Sequence, residues 1–188
     1  MKRFFLAICV CFSFATGWAQ VEARYDKGNV PVVNGRVLFQ ETIATSQDQA
    51  TSFALISEWA KQRFSKANPN VRASKFTSED ETNYTLDLTA EEYIVFTKRF
   101  FVLDRTRINY WVEIQCHEGN ATIKMTRINY WYEEEREGGL KFTAEDFITD
   151  EEAFSKKGKM LKDQGKFRKG TIDFFDSIVA EMTEVLNK

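Results

Sequence analysis

Three features of this sequence have residue types and spacing that could do chemistry: a Cys–His neighbour pair, a hexapeptide written twice, and adjoining acidic and basic segments. His117 is the only histidine, and Cys116 precedes it. A thiol activated by an imidazole requires the two side chains to converge. Neighbours in a strand point to opposite faces, so the pair reads as a buried structural cysteine beside an exposed turn histidine. No spaced His/Cys set suits a metal, and no alternating Asp/Asn loop suits calcium. Gly165-Lys-Phe-Arg-Lys-Gly-Thr171 lacks both the Lys after its second Gly and the preceding apolar strand of a phosphate loop. No catalytic residue, metal ligand or cofactor is therefore assigned.

The repeat is Thr106-Arg-Ile-Asn-Tyr-Trp111, recurring as Thr126-Arg-Ile-Asn-Tyr-Trp131. Arg and large aromatics anchor interfaces, which makes Arg107, Tyr110, Trp111, Arg127, Tyr130 and Trp131 candidate binding residues. The competing use is cross-strand packing. Two copies are too few for a solenoid. A hairpin centred on Glu118-Gly119 pairs the copies antiparallel, Thr106 with Trp131 and Trp111 with Thr126. One face of its first strand is Ile108, Tyr110, Val112, Ile114 and Cys116. Met125, Ile123 and Ala121 match it, but Arg127 and Asn129 then fall where Ile128 and Tyr130 belong. An extra residue near Thr126-Arg127 restores the match, so the pattern predicts a β-bulge there.

Charge is segregated. Glu133 to Glu152 holds nine acids and two bases, and Lys156 to Lys169 seven bases and one acid. The basic stretch could meet an anionic partner. The simpler reading is two solvated segments that neutralise each other, with Glu133, Glu134, Glu135 and Glu137 in an exposed loop.

The elements that must position these residues follow from the rest of the chain. A length of 188 residues suits one domain. The composition, 43% hydrophobic and 14% aromatic with nearly balanced charge, excludes a disordered chain and a simple basic nucleic-acid binder. Residues 1–19 have the layout of a signal peptide: Lys2-Arg3, an apolar run from Phe4 to Phe14, then Gly17 and Ala19 before Gln20. That run is shorter than the roughly 20 residues a transmembrane helix needs. Ile8 and Val10 precede Cys9 and Cys11, which does not suit lipidation. The expectation is export to the periplasm or beyond as a soluble protein, neither lipid-anchored nor membrane-spanning. Removing Lys2 and Arg3 from the 26 basic residues leaves 24 against 28 acidic, a net charge of −4, with Cys116 the one remaining cysteine. Asn83 and Asn120 stand in glycosylation sequons by pattern.

After a polar N-terminal segment, residues 20–35, a single domain is expected over 36–188. Arg36–Ile43 reads as a strand. Ser46-Gln-Asp-Gln49 forms a capping box ahead of a helix with Phe53, Ile56, Ala60 and Phe64 on one face. Strands are expected at Val71–Thr77, Asn83–Leu88, Tyr93–Leu103, Arg105–Cys116 and Ala121–Tyr132. Thr89-Ala-Glu-Glu92 also fits a capping box, but strand is preferred there. A short helix starts at Thr149, and an amphipathic helix follows Gly170. This order is α+β, with both helices on one face of an antiparallel sheet.

Val30-Pro-Val-Val-Asn-Gly-Arg-Val-Leu-Phe39, the helix with Trp59 and Phe64, the hairpin from Tyr110 to Tyr130, and Ile148-Thr-Asp, Lys166-Phe-Arg and Thr171-Ile-Asp-Phe-Phe175 resemble a family. It is a family of exported bacterial domains of unknown function described as having a TBP-like fold. The resemblance implies β-α-β(4–5)-α order, with a curved antiparallel sheet and a long N-terminal and a C-terminal helix on one face. It does not import DNA binding, and the charge of −4 argues against a nucleic-acid partner. The expected function is a non-enzymatic binding domain of the cell envelope, for a partner protein or an apolar ligand. The alternatives are a periplasmic hydrolase and a carrier with a helix-grip-like cavity. A cavity of about 300 Å³ or more would favour a small ligand. A solid core with an exposed aromatic patch would favour a protein.

Overall fold

The structure, a computed structural model, describes residues 23–100 and 102–188. The signal-peptide segment lies outside them. The chain runs β1 (Val32–Val33), β2 (Arg36–Ala44), α1 (Gln49–Arg63), β3 (Val71–Asp80), β4 (Thr85–Arg99), β5 (Val102–His117), β6 (Asn120–Tyr132), β7 (Leu140–Thr143), α2 (Asp150–Ala153) and α3 (Lys162–Leu186). The strands form a curved antiparallel sheet ordered β1-β2-β6-β5-β4-β3, and β7 also pairs with β6. The α+β class and the antiparallel sheet are as expected.

Alternation explains the core. Leu86, Leu88, Ala90 and Ile94 of β4, Ile108, Tyr110, Val112, Ile114 and Cys116 of β5, and Ala121, Ile123 and Met125 of β6 are all buried on one face. From α1 and α3, Phe53, Ile56, Phe64, Phe167, Ile172, Phe175, Ile178 and Met182 join them in one cluster. Rings fill the space between sheet and α3. Phe167 packs on Phe96, Tyr130, Tyr132, Phe142 and Phe147, with centroids 4.7–5.3 Å apart.

The predicted bulge is present. From His117↔Asn120 to Trp111↔Thr126 the hairpin keeps the expected register; beyond it Asn109 faces Asn129 and Thr106 faces Tyr132. The pairing of Thr106 with Trp131 is thus corrected by one residue. The extra residue sits at Arg127, whose φ of 51° is left-handed, and Ile128 and Tyr130 return to the core. The bulge also divides the edge of β6. β2 pairs with residues up to Thr126, and β7 with residues from Asn129.

Several boundaries differ from the sequence reading. The strands expected at Asn83–Leu88 and Tyr93–Leu103 merge into one strand, β4, which ends at Arg99, so that Val102 and Leu103 open β5 instead; no helix starts at Thr89. Glu92 hid this continuity, because it occupies a core-facing position that alternation assigns to an apolar residue. The cap of α1 is Asp48, not Ser46: the Thr51 amide donates to Asp48 Oδ1 at 2.8 Å, while Gln49 reaches the Cys116 carbonyl. The last helix starts at Lys162, well before Gly170. Gly170 permits close approach to the sheet, since a Cβ there would stand 2.8 Å from Phe96 and 2.9 Å from Ile94. Residues before Arg36 pack on the domain: Val30 is buried, and Tyr25 donates to Asp173.

Candidate functional site

The sheet face away from the helices gathers the polar half of the repeat. In β5, Arg107, Asn109 and Trp111 point there; past the bulge, Asn129 and Trp131 do so from β6, with Arg127 alongside. Tyr110 and Tyr130 do not join them. Both are buried, so the six candidate residues divide between two faces. Tyr130 shares a hydrogen bond with Thr171 at 2.7 Å. Tyr110 donates to the buried Glu92 carboxylate, which Arg63 of α1 also meets at 3.0 Å. Burial first, then the neighbouring Glu92 charge, pushes the Tyr110 hydroxyl well above its ordinary pKa. These tyrosines are core residues with paired hydroxyls.

On the outer face the cations lie over rings. Arg127 stands over Trp111 at 4.0 Å, and Arg107 and Lys141 stand over Trp131 at 4.6 and 4.3 Å. Arg105 covers Tyr93 at 3.9 Å. Arg107 bonds Glu91 at 3.2 Å and pairs with Glu134, which also accepts from the Tyr93 hydroxyl. Burial opposes the Arg107 charge, but Tyr93, Glu91 and Glu134 more than compensate and hold its pKa above the usual value. Its Nε is buried without a hydrogen-bond partner. Trp131 Nε1 donates to the Gly138 carbonyl at 2.7 Å, which pins the 133–139 loop. The glycine next to it is required, because a Cβ on Gly139 would stand 2.6 Å from the Tyr132 carbonyl oxygen.

Two open grooves border this cluster. One, of about 420 Å³, is lined by Glu91, Arg107, Asn109, Asn129, Trp131 and Lys141 among others. The second, of about 410 Å³, runs past Tyr93, Arg105 and Trp131 to Glu134. Sequence reasoning missed Glu91, Tyr93, Glu134 and Lys141. The signal for the first two was available, since they share the outward parity of β4 with Thr89. Glu134 was read as part of a solvated loop, yet its side chain is only 14% exposed. The basic stretch likewise is not simply solvated: Lys166 bonds Asp104 and Tyr132, and Arg168 is fully buried.

Cys116 and His117 stay apart, the thiol in the core and the imidazole exposed at the hairpin end. Burial pushes the Cys116 thiol up to about 11. A thiol so protonated is a poor nucleophile. In native protein Cys116 is expected to resist a thiol reagent at pH 8 and to react fully in urea. Fast native modification, followed by mass spectrometry of the Cys116 peptide, would contradict this. Among the described residues no cluster of three or more His, Cys, Asp or Glu could hold a metal ion.

A seven-stranded antiparallel sheet with helices on one face and a cation–aromatic cluster on the other defines an α+β domain of TBP-like fold. Residues 39–131 match the family described as a domain of unknown function (DUF4468) with TBP-like fold. A DUF4468 family protein from Bacteroides ovatus is 30% identical, with a TM-score of 0.79 over 89% of this chain and 95% of that one. The chain belongs to this family. A TBP-like protein from Parabacteroides distasonis, 21% identical, shares the fold at a TM-score of 0.66 over 84% of this chain and 96% of its own. Comparison with curated proteins finds no match.

Proposed function

We propose that this is an exported cell-envelope protein whose domain binds a partner protein through the outer face of β5 and β6. The observation that carries this reading is the cluster of Trp111, Trp131 and Tyr93 under Arg127, Arg107, Lys141 and Arg105, beside an open groove. Rings held by stacked cations present a wide contact area at low entropic cost, and Arg with Trp supplies most interface energy. A partner at this face is favoured over an apolar ligand between sheet and helix, because rings of Phe167, Tyr130 and Phe142 occupy that interior. Export rests on the layout of residues 1–19.

Photo-crosslinkers placed at Asn109 and Lys124 on the outer face, and at Ser177 on α3, test the reading in the living cell. Adducts of defined mass are expected from the first two positions. Trp131→Ala, checked by thermal melting, should weaken the Asn109 adduct at least about ten-fold. Adducts from Ser177 alone, or an Asn109 adduct indifferent to Trp131→Ala, would overturn the assignment.

A further inference from the structure

The β4–β5 hairpin is longer than the sheet that supports it. β3 pairs with β4 only as far as Glu92, and β6 with β5 only as far as Thr106. Beyond these points Val95↔Arg105, Thr97↔Asp104, Lys98↔Leu103 and Arg99↔Val102 form a two-stranded ribbon with no flanking strand among the described residues. Phe96, at the register shift, is held against Phe167 and Tyr132; the ribbon then leaves the core. From Val95 to Arg99 it advances about 13 Å at the usual strand rise.

Its tip is apolar where water would favour polar residues. Val95 is 51%, Phe100 92%, Val102 54% and Leu103 54% exposed. An exposed apolar patch of this kind marks a partner or a membrane. The charge at the tip selects between them. Lys98 and Arg99 are both exposed, and Tyr93 to Leu103 contains no acid. The acids nearest the tip are paired: Glu92 with Arg63, Asp104 with Lys166, and, in the loop that shares a groove with Val102 and Leu103, Glu133 with Arg136, Glu134 with Arg107 and Glu135 with Arg105. A basic, apolar tip on a chain of net negative charge is complementary to an anionic lipid surface. The apolar side chains would enter the headgroup–acyl boundary, and the ammonium and guanidinium would meet phosphate.

We propose that this ribbon is a membrane-docking tip that inserts into anionic bilayers. Val102 and Leu103 line the same groove as Arg107 and Trp131, so a docked bilayer would border the proposed partner face.

The test is sedimentation of the full chain with vesicles of phosphatidylglycerol and phosphatidylethanolamine, and with phosphatidylcholine vesicles as the neutral control. The apolar residues 4–14 are present in every variant, so only differences from wild type are read. Anionic vesicles are expected to bind better, and added salt to weaken that binding. Each basic side chain near such a surface is worth about five-fold, so Lys98→Gln with Arg99→Gln should lower partitioning about 25-fold. Phe100→Ser with Leu103→Ser should lower it at least about ten-fold, with melting temperature unchanged. Amide exchange over residues 96–103 should slow when vesicles are added. Variants that partition like wild type, or exchange at the tip indifferent to vesicles, would overturn the proposal. So would a wild type that leaves vesicles unbound but forms a dimer broken by Phe100→Ser.

Discussion

Replacing Arg63 with Ala is expected to cost about 3–5 kcal/mol of stability, measured by urea unfolding, because it leaves a buried carboxylate without its counter-charge. Arg63 and Glu92 side chains are 9% and 2% exposed, and their closest approach is 3.0 Å. The guanidinium also forms an ion pair with Glu181, with Nε 3.0 Å from the carboxylate, and covers the Phe64 ring at 5.1 Å. Arg63→Ala therefore removes an ion pair, a tie between α1 and α3, and packing together. Tyr110→Phe removes only the hydroxyl that donates to Glu92, and a smaller loss of about 1–3 kcal/mol is expected. Replacing the pair by Met and Leu should recover much of the Arg63→Ala loss, since apolar substitutes for a buried pair are often neutral. The ordering is the check. Arg63→Ala milder than Tyr110→Phe would mean that water, not Arg63, balances Glu92.

Arg168→Ala should be comparably damaging, about 3–5 kcal/mol, with a local signature. Arg168 is fully buried and donates to the carbonyls of Tyr25, Ile148 and Asp26 at 2.9, 2.7 and 2.6 Å. It pairs with Asp150 at 2.8 Å and lies 5.1 Å from the Phe154 ring. Burial pulls its pKa down, and Asp150 opposes that shift. One guanidinium thus joins α3 to the segment before β1 and to the start of α2. Without it the three carbonyls lose this donor, and Asp150 loses its counter-charge and keeps only the Gly28 amide at 2.7 Å. Amides of residues 26–30 should exchange faster, ahead of global unfolding. Arg168→Lys should not rescue, because a single ammonium lacks the fork that reaches separate carbonyls. Unchanged exchange at residues 26–30 would show that the other ties, Arg24 to Asp176, Tyr25 to Asp173 and the Gly28 amide to Asp150, suffice to hold that segment.

Where the sequence could be read, the reason was local. The bulge at Arg127 was visible because a strand alternates with period two, and an apolar pattern that loses step needs one extra residue. Asn34-Gly35 and Glu118-Gly119 are turns in the structure for the same short-range reason. Where the reading failed, a residue answered to something distant. Glu92 looked like a strand end or a helix cap because its partner, Arg63, lies 29 residues earlier. Gly170 looked like the residue before the last helix, yet it lies inside that helix with Gly165, and the two admit the β4 side chains Ile94 and Phe96 and Met160. Lys166 and Arg168 looked solvated within a basic run, although each is matched by groups from other elements.

The repeat shows the same division within six residues. Its alternation determined that Ile and Tyr share one face and Arg, Asn and Trp the other, since successive side chains must point oppositely. It also placed Tyr110 and Tyr130 on the apolar face with Val112, Ile114 and Cys116, so counting them as binding residues ran against the pattern; the helices cover that face and leave the other open. It could not supply Glu91, Tyr93, Glu134 and Lys141, which arrive from β4, the 133–139 loop and β7. By itself the sequence determined the first long helix, the β5–β6 hairpin and its bulge, because these follow from contacts between near neighbours. Only the tertiary structure decided which charges are buried, which cations lie over which rings, and which hairpin outruns its sheet. Those depend on the distances between segments far apart in the chain.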